Sequence, residues 1–180
     1  MSASRARESD SSEGGRADGS EPITMLRMPI GLDYAYSAGQ SASRFLRAMA
    51  EGKLLGQRCP VDGRVYFPSR GACPQHGVVF GDERVELPDK GTLVTFSIVR
   101  VPSENIPLEL PYVTANVLID GADTILMHVL DAKPEDVRMG MRVQAAWKPR
   151  EEWTTSTANI MYFRPIDEPD ADYETYKEHI

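Results

Sequence analysis

Cys59-Pro-Val-Asp62 and Cys73-Pro-Gln-His76 repeat one pattern, a cysteine followed three residues later by a second metal-donor side chain, with ten residues between the repeats. Two short turns of this spacing converge four donors on one tetrahedral ion, which is the architecture of a zinc ribbon. Asp and His replace two of the usual cysteines here, yet carboxylate oxygen and imidazole nitrogen both bind zinc, at about 2.0–2.2 Å. The spacing therefore predicts a ribbon module over 53–80 with Cys59, Asp62, Cys73 and His76 as its metal ligands and zinc as the cofactor, the alternative being a ribbon that has lost its metal, with Asp62 and His76 hydrogen-bonded to each other or to solvent. The same two thiols offer a disulfide as the bland alternative, disfavoured where a reducing cytoplasm keeps thiols free.

Around that module the pattern changes twice. Residues 1–22 are rich in Ser, Gly and Glu and almost devoid of apolar side chains, so they are expected to form a disordered tail. Residues 23–52 read as a docking segment, with Ile23, Met25, Leu26, Met28, Ile30 and Leu32, followed by a short helix from Ser41 to Ala50. Phe45, Leu46 and Met49 share one face of that helix, and Gly52 ends it.

Beyond residue 80 the period is that of strands. Segments 91–101, 112–120, 124–130, 140–147 and 159–164 are β-branched or aromatic, and Pro134 opens a single helical turn between the third and fourth. Five strands so interrupted predict an OB-type barrel over 81–166. Period-two alternation assigns its interior to Val94, Phe96, Ile98, Val113, Val117, Ile119, Ile125, Met127, Val129, Val143 and Phe163. Residues 167–180 form an acidic tail. The fold expected is thus mainly β: an N-terminal helix, a rubredoxin-like ribbon, then a five-stranded barrel.

Charge narrows the partners. The chain carries a formal net charge of −7, but both ends are acidic and the middle is neutral. Within 41–72, Arg44, Arg47, Lys53, Arg58, Arg64 and Arg70 face only Glu51 and Asp62. Such a patch suits phosphates or an acidic protein face. No apolar run approaches the ~20 residues of a membrane span, and the start lacks the apolar stretch of a secretory signal, so a cytoplasmic protein without a membrane partner is expected.

Catalytic signatures are sparse. His128 sits in a strand without a neighbouring nucleophile motif and His179 lies near the C-terminus, while no G-x-S-x-G, H-E-x-x-H or phosphate-cradling glycine loop occurs. A general base needs an orienting partner, and neither histidine has one in sequence, so no catalytic residue is assigned.

The order of parts supports a resemblance. Arg47-Ala-Met-Ala-Glu-Gly-Lys-Leu-Leu-Gly-Gln-Arg-Cys59, Arg64-Val-Tyr-Phe-Pro-Ser-Arg70, Lys90-Gly-Thr-Leu-Val-Thr-Phe-Ser-Ile-Val99, Leu110-Pro-Tyr-Val-Thr-Ala-Asn-Val-Leu-Ile119 and Val137-Arg-Met-Gly-Met-Arg-Val143 together resemble the acyl-CoA-associated zinc-ribbon/OB-fold family over residues 40–166. Family members usually carry cysteine at all four ribbon positions, and this chain departs at Asp62 and His76. The resemblance implies a non-catalytic accessory subunit of a thiolase-like enzyme, such as a ketothiolase or a steroid side-chain aldolase of lipid metabolism. It also implies a hetero-oligomer with acyl-CoA at the shared interface. Arg58, Arg64 and Arg70 would then meet CoA phosphates or the partner surface. The competing reading is an OB barrel that binds single-stranded nucleic acid through stacked aromatics such as Tyr66, Phe67, Phe96 and Tyr112. Against it, segment 91–166 has seven basic and nine acidic side chains, so it lacks the positive surplus that tracking a phosphate backbone requires.

Overall fold

The computed structural model describes residues 35–103, 106 and 108–180. The tail over 1–22 and the apolar segment 23–34 lie outside the described residues.

Helix α1 spans Gly39–Ala50 and starts two residues earlier than its apolar pattern suggests. Its buried face is Phe45, Ala48 and Met49, and the chain leaves it through Gly52 at φ +75°, a left-handed conformation suited to a residue without Cβ. The next three strands, β1 (Leu54–Arg58), β2 (Val65–Tyr66) and β3 (Arg84–Leu87), form an antiparallel sheet in the order β2-β1-β3. Residues 84–87, assigned from sequence to the OB-type span 81–166, thus add a strand to the ribbon sheet, with Leu54 opposite Leu87.

The remaining strands close on themselves. β4 (Lys90–Val99), β5 (Tyr112–Ile119), β6 (Ile125–Leu130), β7 (Arg142–Trp147) and β8 (Ile160–Pro165) form a barrel in the order β4-β5-β6-β8-β7. A 3₁₀ turn at Pro134–Asp136 separates β6 from β7. The mainly β architecture read from the sequence, helix then ribbon then five-stranded OB barrel, is the one present.

The lining of the barrel corrects the sequence reading at one strand. Leu93, Val94, Val113, Val117, Ile119, Val143 and Phe163 are fully buried, but Met127 is 71% exposed and Ile125 37%. Pairing explains why. Val113, Ala115 and Val117 lie opposite Leu130, His128 and Leu126, and directly opposed residues share a face. Inward odd positions on β5 therefore impose inward even positions on β6, whatever their polarity. A bulge between Leu93 and Thr95 has a related effect on β4, burying two consecutive residues, Leu93 and Val94.

Ribbon, helix and barrel share one apolar core. Phe45 and Met49 of α1, Leu54, Val65, Phe67 and Leu87 of the ribbon region, and the barrel interior belong to a single buried cluster. Polar ties reinforce the junction. The Asn159 amide donates to the carbonyls of Met49 (2.9 Å) and Thr154 (2.7 Å), and Thr124 exchanges hydrogen bonds with the backbone of Phe67.

The acidic C-terminal stretch folds back on its own barrel. Tyr176 is buried and its ring crosses Gly140, whose carbonyl accepts the Ala171 N–H. Arg138 clamps Asp170 with two bonds of 2.6 and 2.8 Å, and Lys90 and Arg142 both reach Glu168.

Candidate metal centre

Each knuckle of the ribbon is closed by the same pair of backbone bonds. Cys59 N–H donates to the Arg64 carbonyl (2.8 Å) and Gly63 N–H to the Cys59 carbonyl (3.0 Å). In the second knuckle, Cys73 N–H donates to Val78 (2.8 Å) and Gly77 N–H to Cys73 (2.9 Å). Gly63 and Gly77, at φ +78° and +66°, supply the left-handed residue each turn needs. This local pseudo-symmetry makes Cys59 equivalent to Cys73 and Asp62 equivalent to His76.

The donors converge unequally. The ligand atoms of Cys59, Cys73 and His76 all lie within 4.8 Å of one another, and His76 Nδ1 stands 3.6 Å from Cys59 Sγ and 3.4 Å from Cys73 Sγ. Bonds of about 2.3 Å to sulfur and 2.0 Å to nitrogen at tetrahedral angles would put those atoms about 3.5 Å apart, so the three residues fit a zinc ion. Asp62 is close but outside that group. Its Oδ2 is 3.8 Å from His76 Nδ1 and 3.7 Å from Arg64 Nε, and its Oδ1 accepts the Arg64 backbone N–H at 3.1 Å.

Beneath the donors lies a small apolar floor. Cys59, Tyr66, Cys73 and Phe80 form a buried cluster of their own, with the Tyr66 and Phe80 rings 5.4 Å apart. The Tyr66 hydroxyl is 3.4 Å from Cys73 Sγ. Burial alone would raise the Cys73 thiol, but hydrogen bonds from Tyr66 and His76 outweigh it and bring it down to about 6. The bond to Cys73 and burial push Tyr66 up to about 12. Cys59 is raised by burial, so the two thiols are inequivalent despite the symmetry of their backbones. Burial also opposes ionisation of Asp62, and the Arg64 N–H overrides it to hold the carboxyl below its ordinary range. The sequence pointed to the four donors; it contained no signal for Tyr66 as the hydrogen-bond partner of Cys73, since that contact arises only when β2 passes under the second knuckle.

The basic patch is largely neutralised. Arg44 pairs with Asp82 (2.9 Å), Arg58 with Glu83 (3.2 Å), Arg64 with Asp62 and Lys53 with Glu51 (3.5 Å). Among the described residues, Arg47 and Arg70 are exposed and without an ion pair. Arg70 precedes Gly71, which packs against Ser41 at the start of α1.

His128 faces the barrel core rather than a cleft. Its ring meets Phe163 edge-on at 5.7 Å, and its Nδ1 is buried without a hydrogen-bond partner in the described structure. Burial lowers its pKa, which keeps the imidazole neutral. Among the described residues, no helix is long and apolar enough to cross a membrane.

A two-knuckle ribbon sharing a core with a closed five-stranded barrel defines the class of ribbon-plus-OB proteins. The family model for the ChsH2 C-terminal OB-fold domain matches residues 84–148. A DUF35 domain-containing scaffold protein of Methanocaldococcus jannaschii is 35% identical over 116 residues, covering 63% of this chain and 82% of the relative. One from Pyrococcus furiosus is 30% identical over 131 residues, covering 69% and 92%. The chain belongs to the DUF35 family, and the resemblance read from its motifs is borne out. Two solved structures share the fold. The "Ltp2-ChsH2(DUF35) aldolase" matches with a TM-score of 0.51 at 24% identity, over 68% of this chain and 92% of that one. A DUF35 protein of unknown function from Sulfolobus solfataricus matches with a TM-score of 0.53 at 18% identity, over 71% and 84%.

Proposed function

We propose that this chain is a non-catalytic accessory subunit that docks on a thiolase-like enzyme and helps it handle acyl-CoA. The observation that carries the reading is family membership: relatives covered over most of their length are described as scaffold proteins, and a protein of the same fold is part of an aldolase with Ltp2. The chain's own polar clusters support it. The ties of Asn159 and Thr124 and the ion pairs of Arg142 hold one element to another, which is the equipment of a rigid body that presents a surface.

Within that reading zinc has a structural role. Cys59, Cys73 and His76 would hold it, fixing the two knuckles together beside α1; its contribution is folding free energy, not chemistry on a substrate. Arg70, together with Arg47, is best placed to meet a CoA phosphate or an acidic partner, because Arg58 and Arg64 already have carboxylates beside them. The subunit would act where the enzyme acts, in the cytoplasm.

Co-expression with the thiolase-like enzyme encoded nearest to it tests the proposal. Co-elution on size exclusion, with loss of enzyme stability or activity when this chain is withheld, is expected; separate elution and unchanged activity would overturn it. Filter binding to single-stranded DNA at physiological salt addresses the rival, which requires micromolar or tighter affinity.

A further inference from the structure

We infer that Cys59, Cys73 and His76 form a three-ligand metal site with an open fourth position, and that Asp62 stands one layer out. The inference rests on the metal reading above and deepens it. The symmetry of the knuckles makes the contrast between their fourth residues informative: the backbones are closed by the same bonds, so the difference lies in what each side chain does. His76 turns Nδ1 onto both sulfurs, at 3.4 and 3.6 Å. Asp62 turns Oδ1 back onto the N–H of Arg64 two residues on, which closes an Asx turn within its own knuckle, and its Oδ2 lies between Arg64 Nε and His76. Oδ1 is committed to that turn, and Asp62 is not among the donors whose ligand atoms lie within 4.8 Å of one another.

Charge and exposure agree with the geometry. Two thiolates and a neutral imidazole already balance a divalent ion, so a carboxylate in the inner shell would leave a surplus negative charge, whereas outside it Arg64 offsets Asp62. The sulfurs belong to residues that are 1% exposed, while the side chains of His76 and Asp62 are 27% and 25% exposed. The side of the cluster bearing these two residues is the one that water reaches, and there the vacant position would lie. Its ligands would be small, soft or anionic donors, such as a thiolate or azide. Asp62 would gate them by repulsion and accept a hydrogen bond from those that carry a proton.

The full chain loaded with cobalt(II) provides the test, because its visible absorption reports coordination directly. The wild-type spectrum should shift on adding azide or 2-mercaptoethanol. Asp62→Ala should keep one metal per chain, the same resting spectrum and an affinity within about 10-fold, while His76→Ala loses at least about 100-fold. If the wild-type spectrum ignores both donors and Asp62→Ala becomes responsive, Asp62 is an inner ligand and the inference is overturned. If a folded wild-type chain takes up neither cobalt nor zinc, the metal reading itself falls, and this inference with it.

Discussion

The Cζ3–Cη2 edge of Trp153 abuts Gly52, so that a methyl group on that glycine would stand 2.5 Å from ring atom Cη2. Gly52 also holds φ +75°, which penalises any side chain. The contact joins the end of α1 to the loop after β7, where Trp153 in turn packs 5.3 Å from Trp147 and donates its indole N–H to the Lys148 carbonyl. Gly52→Ala should therefore cost about 2–4 kcal/mol, backbone strain plus overpacking. Gly39→Ala, at φ +70° with nothing within 4 Å, isolates the backbone part and should cost about 1 kcal/mol. Urea unfolding of both variants checks the difference; equal losses would mean that the indole simply moves aside.

Asn159 is 1% exposed and donates to the carbonyl of Met49, 110 positions away in the sequence. Replacement by Ala removes one donor from the Met49 and Thr154 carbonyls, which keep the Gly52 and Ser156 N–H groups, and leaves the Thr154 N–H without its acceptor, with an expected loss of about 1–3 kcal/mol. Asn159→Asp should be worse than Ala despite its shape, because an acceptor then faces acceptors. Midpoints of chemical denaturation rank the three proteins.

The C-terminal strap should be acid-labile. Lys90 and then Arg142 hold Glu168 below its ordinary carboxylate value. A depressed acidic pKa contributes stability that is complete above the unfolded value and is lost as pH falls through the folded one. Susceptibility of residues 167–180 to limited proteolysis should rise from about pH 5 to about pH 3, and Glu168→Gln should show the loosened behaviour already at neutral pH.

His128 predicts a separate, milder window. Burial depresses its pKa, so protons bind the unfolded chain first and stability declines as pH drops below the usual histidine value of about 6.5. His128→Leu should flatten the melting temperature between about pH 7 and pH 5, leaving the carboxylate-driven loss at lower pH. A slope unchanged in the variant would assign that window to another group.

Tyr66→Phe removes the hydroxyl beside Cys73 while keeping the ring on Phe80. The fold should persist and metal affinity should fall about 10-fold, as expected when a ligand thiolate loses a hydrogen-bond donor. Competition with a chromophoric chelator measures it.

Much of this protein is written locally. The spacing of Cys59, Asp62, Cys73 and His76, the glycines that follow each knuckle, the apolar face of α1 and the alternation of the barrel strands are patterns within a few residues of one another, and backbone sterics and side-chain period suffice to interpret them. Tertiary structure decided what depends on register and on distant partners. His128 points inward because Ala115 is its cross-strand neighbour; Met127 is exposed for the same reason. The acidic tail is a strap because Arg138, Arg142 and Lys90 happen to border the barrel end it crosses. Two cations of the basic patch, Arg44 and Arg58, are spent on carboxylates at positions 82 and 83, 38 and 25 residues further along the chain. Such pairings form only when helix and strands pack, since neither charge nor hydropathy along a linear chain encodes which residues will face each other in the folded protein.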